Sequence, residues 1–152
     1  MEARMTHPVY VVPAALEALQ AYSHSAEGLG VTAETLELVH LRASQINGCS
    51  VCVQLHSANL KKEGTSDERV FGVAAWREAP YFTDAERAAL ELTETVTRVA
   101  DRGDAVPDDV WAEAARHFDE QGLSALLIAI TSINVWNRLN ASIRQPAGAW
   151  SA

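Results

Sequence analysis

Apolar side chains along this chain recur three and four residues apart and almost never alternate, which is the spacing of helices buried on one face. Pro13 predicts the opening of a first helix running to about Ala26, with Leu16, Leu19 and Tyr22 as its buried stripe. Thr32 is placed to cap a second helix, and Glu34 suits the positive end of that helix. This helix carries Leu36, Val39, Ala43 and Ile46 on one face until Asn47-Gly48 breaks it. A third is predicted from Cys49, or just before it, to about Lys62, stopped by Gly64. TSDERVFGVAAWREAP reads as a short helix with Val70, Val73 and Trp76 inward. Thr83 and Glu86 form a capping box ahead of a helix holding Leu90, Leu92, Val96 and Val99. After the loop DRGDAVP, Pro107 is expected in the first turn of a helix ending near Phe118. The last helix, from about Gln121 to Ser142, is the most apolar, with Leu123, Leu126, Leu127, Ile130, Ile133 and Leu139. QPAGAWSA reads as a frayed tail. The prediction is an all-α bundle of about six to seven helices in a single domain over residues 1–152.

Composition narrows the function classes more than the fold. The 152 residues are 48% hydrophobic and 21% charged, which is ordinary for a globular chain. A formal charge of -8, from 12 Lys and Arg against 20 Asp and Glu, argues against nucleic acid and against anionic membrane surfaces as partners. The amino-terminal stretch lacks the basic start and apolar core of a signal peptide. The longest apolar run, ALLIAITSINVW, is interrupted by polar side chains and too short to span a bilayer. A cytoplasmic location is therefore expected, and in that reducing compartment two cysteines are seldom a structural staple.

Both cysteines lie in ELVHLRASQINGCSVCVQLHSANLKKEG, residues 37 to 64. A thiol with its ordinary pKa of about 8.5 is mostly protonated near pH 7, yet only the thiolate is a good nucleophile. Two features of the sequence would lower that pKa. Asn47-Gly48 puts Cys49 at a helix start, where free backbone N–H groups favour an anion. Cys52 and His56 are four apart and share a helical face. If the second and third helices form a hairpin about Gly48, the rise of about 1.5 Å per residue puts Glu37 roughly 16 Å back along the axis and His56 roughly 12 Å back. The two then fall within about one turn of each other. Glu37 could fix the tautomer of His56, and His56 could take the proton from Cys52, the logic of nucleophile, base and orienting group. CxxC also allows one thiol to attack and the other to resolve. The metal alternative stays open here: zinc takes four ligands, and Cys49, Cys52 and His56 offer three, with Glu37 or another histidine as a fourth.

Glu37, eleven residues, Cys49-x-x-Cys52, three residues and His56 together resemble the signature of the AhpD-like alkylhydroperoxidases of the carboxymuconolactone decarboxylase family. The flanks LRASQINGC, AAWREAPYFTDAERAALELTE and INVWNRLN resemble it as well, so that the likeness spans roughly residues 8 to 146. What the resemblance implies is an AhpD-like helical bundle and a thiol peroxidase that reduces hydroperoxides with no metal or organic cofactor. It implies Cys52 as the attacking thiol, Cys49 as the resolving one, His56 as base and Glu37 as its partner. It also implies a homo-oligomer (dimer, trimer or hexamer) and regeneration by a dithiol donor, of lipoyl type in the best-studied members. Peroxidases of the family often carry a histidine before the second cysteine, where this chain has Val51. Proton delivery to the leaving group would then fall to His56 or water. The decarboxylases that lend the family its name generally lack the cysteine pair.

Two rival readings keep their own tests: a decarboxylase-like enzyme acting on a carboxylated lactone, and a non-enzymatic redox-sensing module. His40, one turn past Glu37, is close enough in sequence to contact the site, but spacing alone favours a place outside it. His7, His24 and His117 read as surface or structural, and Trp76, Trp111 and Trp136 as core or interface packing. Asn134, Asn137 and Arg138 are more polar than a core helix requires and are expected either at a subunit contact or beside the thiols.

Overall fold

The central element is a helix touched on three sides. In the computed structural model, which describes residues 2–148, α3 (Ala33–Asn47) packs against α4 (Ser50–Lys62), α6 (Asp84–Thr97) and α8 (Glu120–Ile143). Around these lie α1 (Pro8–Val11), α2 (Pro13–His24), α5 (Asp67–Gly72) and α7 (Asp108–His117). Two 3₁₀ turns, Val73–Ala75 and Val99–Asp101, follow α5 and α6. The described residues contain no strand, and the fold is all-α as the periodicity predicts. None of their helices is long and apolar enough to cross a membrane.

Because α3 buries opposite faces, it serves two apolar cores at once. Leu36 and Val39 join Ala89, Leu92, Leu126 and Ile130 between α6 and α8. Leu38 and Leu41 join Leu60, Val73, Trp76 and Leu90 between α4 and α6. Each fully buried leucine of this kind contributes roughly 1.5–3 kcal/mol of transfer free energy. Two charged groups clamp the second core. Glu94 of α6 accepts from Arg42 Nε at 2.8 Å, Trp76 Nε1 at 2.8 Å, Arg77 at 3.1 Å and Arg98 at 3.3 Å. Arg69 of α5 reaches Glu34 at 3.1 Å and Glu86 at 2.5 Å.

The helix starts follow the predicted chemistry. The Thr32 side chain accepts from the Thr35 N–H, and Thr83 and Glu86 close their capping box. Pro107 sits at the N-cap of α7 rather than within its first turn. Several expectations need correction. Leu16 and Leu19 are only half-buried and Tyr22 is exposed, so that α2 has no buried stripe, and the helix stops at His24. Val99 lies past the end of α6 in a 3₁₀ turn and is 46% exposed. Ile46, Val96, Leu127 and Leu139 are half-buried. The single turn α1 carries no usual cap signal, since its N-cap is His7, whose ring accepts from the Val9 N–H at 3.3 Å. The tail reading over 145–152 runs beyond the described residues at 149; Gln145 to Gly148 are non-helical.

Candidate active site

The site is built on the turn between α3 and α4. Gly48 adopts φ 66°, the left-handed region that favours glycine, and ends α3 in a Schellman arrangement. The Cys49 N–H bonds the Ser44 carbonyl at 3.0 Å, and Gly48 N–H that of Gln45 at 3.3 Å. Reversal of the chain at this point leaves Cys49 as the N-cap of α4 and Cys52 within its first turn. The two are joined as a disulfide, with Cα atoms 5.4 Å apart. Both are 2% exposed and pack with Ala43, Val51 and Ile133.

The hairpin brings Glu37 and His56 together. His56 Nδ1 lies 2.8 Å from Glu37 Oε2, and Asn59 Nδ2 donates to Glu37 Oε1 at 3.3 Å. Burial alone would raise the Glu37 carboxyl, but the imidazoles of His40 and His56 beside it outweigh burial and hold it down to about 2. Burial pushes the His56 pKa below its ordinary value, against the upward pull of the Glu37 hydrogen bond. With Glu37 ionised, Nδ1 of His56 donates to it, and Nε2 is left as the acceptor for a proton. His40 reaches the same group: its ring centroid is 4.8 Å from that of His56, and its Nδ1 is 3.9 Å from Glu37 Oε1.

On the other side of Cys52 is a group that sequence reasoning missed. Asn140 of α8 donates its Nδ2 to Cys52 Sγ at 3.3 Å. Asn134, Asn137 and Asn140 stand three apart along an otherwise apolar helix, and that polar stripe was the available signal. Asn47 Nδ2 donates to Asn134 and Asn137, each at 2.9 Å, and Asn137 donates to Ser44 at 3.0 Å. The amides therefore tie the end of α3 to α8 immediately beneath the disulfide. Arg138 is exposed and donates to Asn134 Oδ1 at 2.7 Å.

The other histidines and tryptophans divide. His7 is 3% exposed, its ring 6.1 Å from that of Trp136. His24 is exposed, and His117 bonds Glu113 at 3.1 Å. Trp76 is buried, Trp136 half-buried, and Trp111 is exposed, which places it outside the core.

Two cavities meet at the imidazoles. One, of about 290 Å³, is walled by Val9, Leu16, Ile133 and Trp136 together with Cys52 and His56. Its lining is mainly apolar, with Gln20, Ser23 and Ser132 among its polar members. The second, of about 430 Å³, is lined by Glu37, His40 and His56 with His24, Glu27 and Glu63. His40 and His56 border both.

Comparison with known proteins agrees with this architecture. Residues 13–95 match the model of the carboxymuconolactone decarboxylase family. YdfG of Bacillus subtilis, itself uncharacterised, is 34% identical over 115 residues, 76% of this chain and 77% of that protein. A solved structure from Agrobacterium tumefaciens, a protein of unknown function linked to antioxidant defence and AhpD, is 31% identical. It superposes with a TM-score of 0.89 over 98% of this chain and all of that one. The debrominase Bmp8 shares the fold at 18% identity, with a TM-score of 0.79 over 93% of this chain and 75% of its own. This chain belongs to the carboxymuconolactone decarboxylase family, as one of its AhpD-like members.

Proposed function

We propose that the protein is a thiol peroxidase that reduces hydroperoxides through Cys52 and Cys49. The observation that carries this reading is the position of Cys52: one helical turn from a Glu37-bonded imidazole, in the wall of a mainly apolar chamber. His56, uncharged near neutrality, takes the proton of the Cys52 thiol, and Asn140 donates to the resulting thiolate. The thiolate attacks the terminal oxygen of a hydroperoxide and breaks the O–O bond, giving a Cys52 sulfenic acid and an alkoxide or hydroxide. That anion takes up the proton from His56 or water and leaves as an alcohol or as water. Cys49 condenses with the sulfenic acid, forming the disulfide and releasing water. An external dithiol, small or lipoyl-bound, then reduces the disulfide by exchange. No step requires a metal or an organic cofactor.

The deciding experiment is peroxide consumption with a supplied dithiol by the wild type, Cys52→Ser and Cys49→Ser. Sustained turnover by the wild type and none by Cys52→Ser is expected. An inactive wild type, or undiminished turnover without Cys52, would overturn the reading. Lactone decarboxylation instead predicts activity that survives loss of both thiols, and a redox sensor predicts one stoichiometric oxidation.

The same reading includes self-association. Tyr10, Val11, Val12 and Tyr22 of the α1–α2 region are 58%, 59%, 53% and 42% exposed, an apolar surface of the kind that subunit contacts cover.

A further inference from the structure

We propose that Glu37, His40 and His56 form a binding site for a divalent transition-metal ion, facing the second cavity and separate from the cysteine pair. Glu37 and His40 are three apart on α3, a Glu-x-x-His pair on one helical face, and His56 comes from α4 opposite. One potential ligand atom of each lies within 4.8 Å of the others. Zinc–ligand distances of about 2.0–2.1 Å set tetrahedral donors about 3.4 Å apart. The observed separations, 2.8 Å for His56 Nδ1 to Glu37 Oε2 and 3.9 Å for His40 Nδ1 to Glu37 Oε1, fall on either side of that value.

Three further observations point to a cation. His40 Nδ1 is buried and stands 3.9 Å from Glu37 Oε1, longer than a hydrogen bond and spanned readily by a shared ion. The cavity over the trio is lined also by Glu27, Glu63 and His24, and by no lysine or arginine, so its field draws positive charge inward. Its volume, about 430 Å³, leaves room for the waters that fill the open coordination positions of a three-ligand site. Two imidazoles and one carboxylate suit zinc, iron(II) or cobalt(II) better than calcium or magnesium, which take oxygen donors. A bound ion would take Glu37 Oε2 and His56 Nδ1 away from each other, so metal occupancy and the use of His56 as a base exclude one another.

The test uses the full chain, stripped with a chelator and titrated with Co²⁺ while its visible bands are followed, then challenged with Zn²⁺. A single equivalent should bind to the wild type, and Zn²⁺ should displace it. His40→Ala and the size-preserving His40→Gln, each checked for native helix content, should bind more than about tenfold more weakly. Cys49→Ser/Cys52→Ser should bind as the wild type does. No Co²⁺ or Zn²⁺ uptake by the wild type would overturn the proposal. So would unchanged affinity in both His40 variants, or loss of binding in the double cysteine variant, which would put the metal on the sulfurs. The readout is binding, so it stands or falls apart from peroxide turnover.

Discussion

The amide of Asn140 touches the Cys52 sulfur and the carboxylate of Glu37 touches the His56 ring, and each contact can be tested alone. Asn140 donates to the Cys52 sulfur at 3.3 Å in a place with almost no solvent. A hydrogen bond to a charged acceptor contributes about 1.5–3 kcal/mol. In the reduced protein Asn140→Ala should therefore raise the Cys52 thiol pKa by about one unit or more. The pH dependence of alkylation in Cys49→Ser and in Cys49→Ser/Asn140→Ala would measure it. Glu37 titrates at about 2 when folded against 4.5 in its unperturbed state. Its ionised form stabilises the fold above about pH 4.5, and that stability is lost as pH falls toward 2. Urea midpoints taken across that window should fall more steeply for the wild type than for Glu37→Gln. His56 has a folded pKa below 6.5, so the acid limb of peroxide turnover should have its midpoint below that value.

At the level of the helices, what holds α3 in register with its neighbours is a mixture of leucine packing and a few saturated charges. Glu94 receives four side-chain donors and is 8% exposed, so its removal leaves Arg42 half-buried without its carboxylate. Glu94→Ala should lower unfolding free energy by about 3–5 kcal/mol, read from the midpoint of chemical denaturation. Much of this scale was legible beforehand. Thr32, the Thr83–Glu86 box and Asn47-Gly48 fixed helix limits because capping is local chemistry, written within four residues. The Glu37–His56 contact could be estimated because one glycine hinge and a constant rise set the register of a hairpin. Asn140 could not be found in this way, since its partner lies 88 residues distant on another helix. The expected burial of Tyr22 and Val99 failed for the opposite reason. Apolar spacing says which face of a helix is greasy, not whether this chain alone covers it.

Taken whole, the molecule places the cavity bordered by Cys52 and His56 between its packed α3–α4–α8 centre and its more exposed α1–α2 edge. In the proposed self-association, α2, which buries none of its residues, is part of the surface that a second copy would cover. Val11→Glu/Val12→Glu should shift the protein toward monomer in analytical ultracentrifugation, with helix content by circular dichroism unchanged. The cross-link at the centre closes a loop of only four residues, Cys49 to Cys52. In the chain-entropy account so small a ring restrains the unfolded state by about 2 kcal/mol, against about 4.7 for a ring of a hundred. On the proposed peroxidase cycle, each reduction of this pair therefore gives up only about 2 kcal/mol of restraint, less than half of what a bridge between distant parts of the chain would surrender, and the leucine-packed helices around it carry the difference.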